Sequence, residues 1–369
     1  MTPELIETPA ALAALCDELK NSDCIAVDTE FARETSYFPH IGLVQIAADS
    51  RIACIDPLAF DATEQLSGLL FDDSIIKVFH ACLQDLEVLE LTLGGLPCPL
   101  FDTQVATALM NEDHQISYAR LVEKELDIKL PKSETRTNWL RRPLSMAQIE
   151  YAADDVRYLL SLYRQQVDEL AAIDRSTWMQ EECERLCLKT FNDAEADLSQ
   201  VWTRVKGKER MRDRELAVLQ VVAAWRERQA MAKDRTRRKI LPDDLVIQIA
   251  TRQPKNTSEL SRIGRLGKIL TMSELDSLSE AIRSADDIPA SEWPSLKRRQ
   301  LSQTQSAALT AVLDRLRQKA SELGISQGML CNRKDAEKLT LGKRDLPVLQ
   351  GWRLECIGNE LLELASVDE

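Results

Sequence analysis

Asp28 and Glu30, separated by Thr29, follow Cys24-Ile25-Ala26-Val27, a short apolar run bounded by polar residues that predicts a buried strand. Side chains alternate along a strand, so the two carboxylates share one face while Thr29 points away. Such a pair at the end of a buried strand repels itself and loses solvation. A divalent cation relieves both costs, and hard oxygen ligands suit Mg2+ or Mn2+. Asp85 closes His80-Ala81-Cys82-Leu83-Gln84-Asp85 and opens a predicted helix. Tyr151 and Asp155 stand four residues apart, so phenol and carboxylate stack one turn above the other on one helical face. Four carboxylates from a strand end and two helices can seat two cations and leave positions open for substrate. Phosphodiester cleavage suits such a site. One ion lowers the pKa of a bound water, and both neutralise charge on the attacking and leaving oxygens. A nearby tyrosine hydroxyl can orient that water.

The elements that must carry these groups read as a mixed α/β domain with a central sheet. Thr8-Pro9 starts a helix through Leu12, Leu15, Cys16 and Leu19 that ends near Asn21. After the Cys24 strand, Gly42 to Ala48 and Arg51 to Ile55 predict a hairpin turning at Asp49-Ser50, and Ile75 to Phe79 a fourth strand. Helical periods follow over Leu83 to Leu93, Thr103 to Met110 and Ser117 to Glu125. Lys132 to Pro143 is polar, basic and aperiodic, which predicts a surface loop. A capping box at Ser145 to Gln148 then opens one long helix reaching about Ala172, with Ile149, Ala152, Val156, Leu159 and Tyr163 as its core stripe. The first domain is expected to span 1–174, with a helical connector over 175–207 through Cys183 and Cys187. Beyond it strand signals vanish. Helical units are expected at 208–289 and 290–369, whose similar size suggests a duplicated module.

At 369 residues, with 44% hydrophobic and 29% charged content, the chain reads as a soluble globular protein. No apolar run approaches membrane-spanning length, and the first residues lack the basic and apolar regions of a secretory signal. Nine scattered cysteines form no CxxC pair and are expected to be small buried hydrophobes in a reducing cytoplasm. A net charge of −13 argues against a protein that coats nucleic acid indiscriminately. The charge is uneven, however. One basic cluster comprises Arg204, Lys206, Lys208, Arg210, Arg212 and Arg214, and another Lys233, Arg235, Arg237, Arg238 and Lys239. Either solvated helix surface or phosphate contact explains such runs.

The motifs DTE at 28–30, HACLQD at 80–85 and YAADD at 151–155 together resemble the DEDD superfamily of 3'→5' exonucleases, in its tyrosine-bearing DEDDy branch, and within it the ribonuclease D family. The likeness continues through FARETSYFP at 31–39, GLVQIA at 42–47, FDTQ at 101–104 and KSETRTNWLRRPL at 132–144. The segment 214–260 is similar to the HRDC nucleic-acid-binding module, whereas the last helical unit lacks that module's landmarks.

The resemblance implies an RNase H-like (DnaQ-like) α/β exonuclease domain followed by two all-α HRDC-type helical domains, the second divergent. It implies that Asp28, Glu30 and Asp155 bind the catalytic metal, that Asp28 also bridges to a second ion, and that Asp85 holds this ion directly or through water. Tyr151 would position the nucleophilic water. The Tyr-x3-Asp pattern selects Asp155 over Asp154, and with Tyr151 in place His80 is left a structural role. Asp102 is expected to cap a helix. Phe31, Gln84 and Trp139 are candidate contacts to terminal nucleotides, with core packing the alternative for Phe31. Lys132, Arg136, Arg141 and Arg142 are candidate phosphate contacts. The implied activity is a metal-dependent exoribonuclease that matures transfer-RNA precursors and other small structured RNAs, acting as a cytoplasmic monomer. A DNA exonuclease shares all the metal chemistry, and a non-catalytic RNA-binding scaffold is the rival from another class.

Overall fold

A computed structural model of the chain describes residues 1–131, 137–191, 198–296 and 301–366. It divides into two compact units, one of Met1–Phe31, Ile41–Thr190 and Gln300–Glu369, the other of Ala32–His40 and Phe191–Arg299.

The first unit is built on a six-stranded mixed sheet: β1 (Glu4–Ile6), β2 (Cys24–Ala32), β3 (His40–Ala48), β4 (Arg51–Ile55), β5 (Ile76–Phe79) and β6 (Leu100–Asp102), in the order β1-β4-β3-β2-β5-β6. The predicted β3–β4 hairpin forms, pairing Val44 with Ile55 and Ala48 with Arg51. β2 pairs parallel with β5, and β5 with β6. Ile25, Ala26 and Val27 are all fully buried, as an uninterrupted apolar run demands of a central strand covered on both faces. β2 is longer than its apolar run predicts and continues to Ala32. Pairing is a backbone property, so the strand persists where the side chains turn acidic, and Asp28 and Glu30 lie inside it. β1 and β6, at three residues each, are too short to show alternation in the sequence.

Helices α1 (Pro9–Leu19), α2 (Thr63–Leu70), α3 (Leu83–Leu93), α4 (Thr103–Met110), α5 (Tyr118–Leu126), α6 (Met146–Arg157), α7 (Leu159–Ala172) and α8 (Ser176–Cys187) belong to the same unit. The single long helix expected from Ser145 is in fact two. It breaks at Tyr158, whose N–H donates to the Tyr118 hydroxyl at 3.2 Å. The cysteine expectation is corrected as well: Cys98 and Cys187 form a disulfide, with Cα atoms 6.0 Å apart across 89 residues of sequence. A separation of that size leaves no local signal, because α8 brings Cys187 to the start of β6 only in the folded chain.

In the second unit, α9 (Asp213–Ala232), α10 (Arg237–Ile240), α11 (Asp243–Arg252), α12 (Thr257–Ser261), α13 (Leu266–Ile269) and α14 (Met272–Ser284) bury Leu216, Leu219, Val222, Val246, Ile249 and Leu278 in one core. The segment Ala32–His40 joins it through Tyr37, whose hydroxyl donates to Glu227 at 2.7 Å, and through Asp234, which accepts from the Tyr37 and Phe38 N–H groups at 2.9 Å. Part of the basic run is consumed internally: Arg214, Lys233 and Arg237 pair with Asp286, Glu274 and Glu227. The last helices, α15 (Gln303–Leu323), α16 (Gln327–Leu330), α17 (Arg333–Thr340), α18 (Gly351–Arg353) and α19 (Asn359–Ala365), fall in the first unit. There Trp352 stacks on Trp178 of α8 at 4.3 Å, and Arg353 pairs with Glu182.

Candidate active site

β2 supplies Asp28 and Glu30, and α6 supplies Asp155. One carboxylate oxygen from each lies within 4.8 Å of the others. Oxygens around one hard cation stand up to about 4–5 Å apart, twice the ligand distance, so these three fit a divalent ion. Asp85 occupies the first turn of α3, 7% exposed, and its Oδ1 accepts from the Thr29 hydroxyl at 2.5 Å. Thr29 leaves the Asp28/Glu30 face as the strand pleat requires. That direction brings it to the remaining carboxylate, a contact the sequence did not announce.

The turn into α3 is ordered by Asp102. This carboxylate caps α4 through the Gln104 and Val105 N–H groups, as expected, and also accepts from Ala81 and Cys82 N–H at 2.9 Å each. Ala81 is thereby held at a φ of 58°, a left-handed conformation unusual for a residue with a Cβ. His80 lies against Thr103 Oγ1 at 2.9 Å and the Ile116 carbonyl at 3.0 Å, consistent with a structural role. Asp154 turns to Arg157 at 2.7 Å.

Burial is the largest force on every carboxyl of the cluster. It lifts Asp28 well above the usual range, with repulsion from Asp85, Asp155 and Glu30 adding to it. Glu30 rises to about 8 by burial and then by repulsion from Asp155 and Asp85. Asp155 rises to about 7 by burial, then by Asp154 and Asp85. Asp85 also reaches about 7 by burial, held back by its bond from Thr29. Burial and then Asp155 push the Tyr151 phenol upward, so it stays a neutral hydroxyl at physiological pH. Acidic groups crowded until they retain protons are groups that a cation would ionise.

The remaining candidates are placed unevenly. Phe31 is half-buried at the end of β2, and Gln84 is exposed beside Asp85. Lys132 and Arg136 lie outside the described residues. Arg141 is exposed. Trp139 is 5% exposed, a burial that leaves little face for a base, and its ring centroid is 6.2 Å from that of Tyr151. Arg142 grips Asp56 instead of reaching outward. The contacts of Thr29 to Asp85, Tyr118 to Tyr158 and Asp56 to Arg142 are unforeseen in the sequence, because each joins residues far apart in the chain.

Thr29→Val keeps the β-branched shape and deletes the donor to Asp85. Partners that orient a metal ligand contribute about 10–100-fold in affinity or rate. A rise of that size in the Mg2+ concentration for half-maximal activity is expected. An unchanged metal titration would show that the hydroxyl does no more than pack.

Carboxylates gathered on a central strand and a facing helix, with a tyrosine one turn from the last of them, form a donor set suited to metal-assisted phosphodiester hydrolysis. Residues 3–171 match the family described as 3'-5' exonuclease, and residues 215–282 match the HRDC domain. The chain is 36% identical to the ribonuclease D of Zymomonas mobilis, over 98% of this chain and 93% of that protein. It is also 36% identical to the ribonuclease D of Pseudomonas paraeruginosa, over 98% and 97%. The crystal structure of Escherichia coli RNase D, described as an exoribonuclease involved in structured RNA processing, superposes with a TM-score of 0.85 at 30% identity, covering 99% of this chain and 98% of that one. The chain belongs to the ribonuclease D family, and its activity is that of a 3'→5' exoribonuclease.

Proposed function

We propose that Asp28, Glu30, Asp155 and Asp85 hold two divalent cations, Mg2+ or Mn2+, over the last phosphodiester of an RNA 3' end. The observation that carries this reading is the convergence of three carboxylate oxygens within 4.8 Å, with Asp85 alongside on Thr29. Bound there, the ions would acidify water and neutralise charge on the attacking and leaving oxygens. In this reading, as in the family pattern, Asp28 would serve both ions, and ion binding would relieve the repulsion it meets from Asp85, Asp155 and Glu30. The neutral Tyr151 hydroxyl orients the attacking water. Water adds to phosphorus, the bond to the 3' oxygen breaks, and a nucleoside 5'-monophosphate leaves a new 3' hydroxyl on the shortened chain. Phe31 and Gln84 contact the terminal nucleotide, and Lys132 and Arg136 contact the phosphates.

The substrates in this reading are transfer-RNA precursors and other small structured RNAs. The enzyme works as a cytoplasmic monomer with an exonuclease domain at 1–174, a connector at 175–207, an HRDC domain at 208–289 and a divergent HRDC-like domain at 290–369. Among the described residues no helix is long and apolar enough to cross a membrane. Matched RNA and DNA oligonucleotides, digested with Mg2+, with Mn2+ and with EDTA, test the reading. Mononucleotides should leave the RNA 3' end only when metal is present. Equal trimming of DNA would refute the RNA preference, and EDTA-resistant release would refute the metal site.

A further inference from the structure

We propose that Arg142 and Asp56 form a clamp that positions Tyr151 through Trp139, an inference that rests on Tyr151 orienting the attacking water. Asp56 follows β4 and is 1% exposed. Its carboxylate takes a two-pronged grip from Arg142, Nε to Oδ2 at 2.5 Å and Nη2 to Oδ1 at 2.7 Å. Arg142 Nη2 also donates to the Gly42 carbonyl at 2.6 Å, and Nη1 to the carbonyls of Trp139 at 2.8 Å and Arg141 at 3.0 Å. A guanidinium has five N–H donors, and these bonds use them all. None is left for a phosphate, which removes the outward role expected from the basic loop.

The clamp fastens the loop at Trp139. A Cβ on Gly42 would stand 2.7 Å from the Trp139 carbonyl oxygen and 2.9 Å from its Cβ, so β3 accepts this loop only where it has no side chain. The loop is also tied to the helix that carries the site. Gln148, in the first turn of α6, completes the capping box with Ser145 and donates through Nε2 to Thr137 Oγ1 at 3.0 Å. Trp139 is thus fixed to the sheet by Arg142 and to α6 by way of Thr137, with its ring tilted 33° to that of Tyr151. With the fixed Trp139 ring 6.2 Å away between centroids, the Tyr151 ring and its hydroxyl have less freedom relative to Asp155.

A positioning role separates from a merely structural one by coupling to Tyr151. Arg142→Lys keeps the charge and loses the fork. It should lower kcat about 10-fold, as a small misplacement of a reacting group does, with KM and the Mg2+ requirement unchanged. In a Tyr151→Phe background, where there is no hydroxyl left to misplace, the same change should alter kcat less than about twofold. An equal loss on both backgrounds, or a raised KM with kcat intact, would overturn the clamp. A Tyr151→Phe enzyme at the wild-type rate would instead remove the water-orienting assignment, and the clamp with it. Thermal unfolding checks that each variant folds. Should Arg142→Lys fail to fold, Asp56→Asn weakens the same grip at constant shape and must show the same coupling.

Discussion

Asp155→Asn and Asp28→Asn should each reduce kcat by roughly 10^3-fold or more, since loss of metal-borne charge stabilisation forfeits several kcal/mol of the barrier at 1.36 kcal/mol per tenfold. Asparagine preserves the volume of the side chain and the strand or helix around it, so the loss is one of charge. The metal-free protein supplies the control. There Asp28 and Asp155 are held above their ordinary range by burial and by their acidic neighbours. Removing either charge relieves that repulsion, and the metal-free variants should melt no lower than wild type. Asp154→Asn is the matched comparison: it removes the bond to Arg157 and a charge beside Asp155, touches no other carboxylate of the cluster, and should keep kcat within a few-fold. Dead enzymes that melt early would point to unfolding. A nearly full rate from Asp28→Asn or Asp155→Asn in Mg2+ would refute the metal assignment outright.

The parts of this site legible in the sequence are those whose information is local. Alternation along β2 puts Asp28 and Glu30 on one face, and a four-residue step on α6 puts Tyr151 over Asp155; both are properties of one element's backbone. What the sequence hid is pairing between distant elements. Thr29 finds Asp85 56 residues away, Asp56 finds Arg142 86 away, and Cys98 finds Cys187 89 away. Arg142 shows the cost of reading polarity alone. Within an aperiodic basic stretch it looked solvated, yet its guanidinium is spent on a buried carboxylate and three carbonyls. Tyr118 is a comparable case, since the apolar period runs unbroken across Tyr158 and only a side chain from another helix marks the break. Three-residue strands fail for a simpler reason: alternation needs more positions than β1 or β6 possesses.

Mg2+ should raise the melting temperature strongly at about pH 8 and hardly at about pH 5.5, as calorimetry of the full chain with Mg2+ or EDTA would measure. The four carboxyls carry folded pKa values above their unfolded values near 4. A carboxyl raised on folding binds its proton more tightly in the native state. Below about pH 4 it therefore imposes no penalty, and the penalty grows as pH climbs, becoming complete above the folded values of about 7 for Asp85 and Asp155 and about 8 for Glu30. The metal-free enzyme thus loses stability across that window. A cation needs the ionised oxygens, so its affinity rises over the same range in which repulsion mounts. At about a hundred times its Kd, an ion contributes about 2.7 kcal/mol, or roughly 5–10 °C for a unit of this size. Asp155→Asn should largely abolish the difference between the two pH values. A Mg2+ shift equal at both would mean that the ion binds elsewhere, at carboxylates already ionised in acid, and that Asp28, Glu30 and Asp155 crowd together for some other reason.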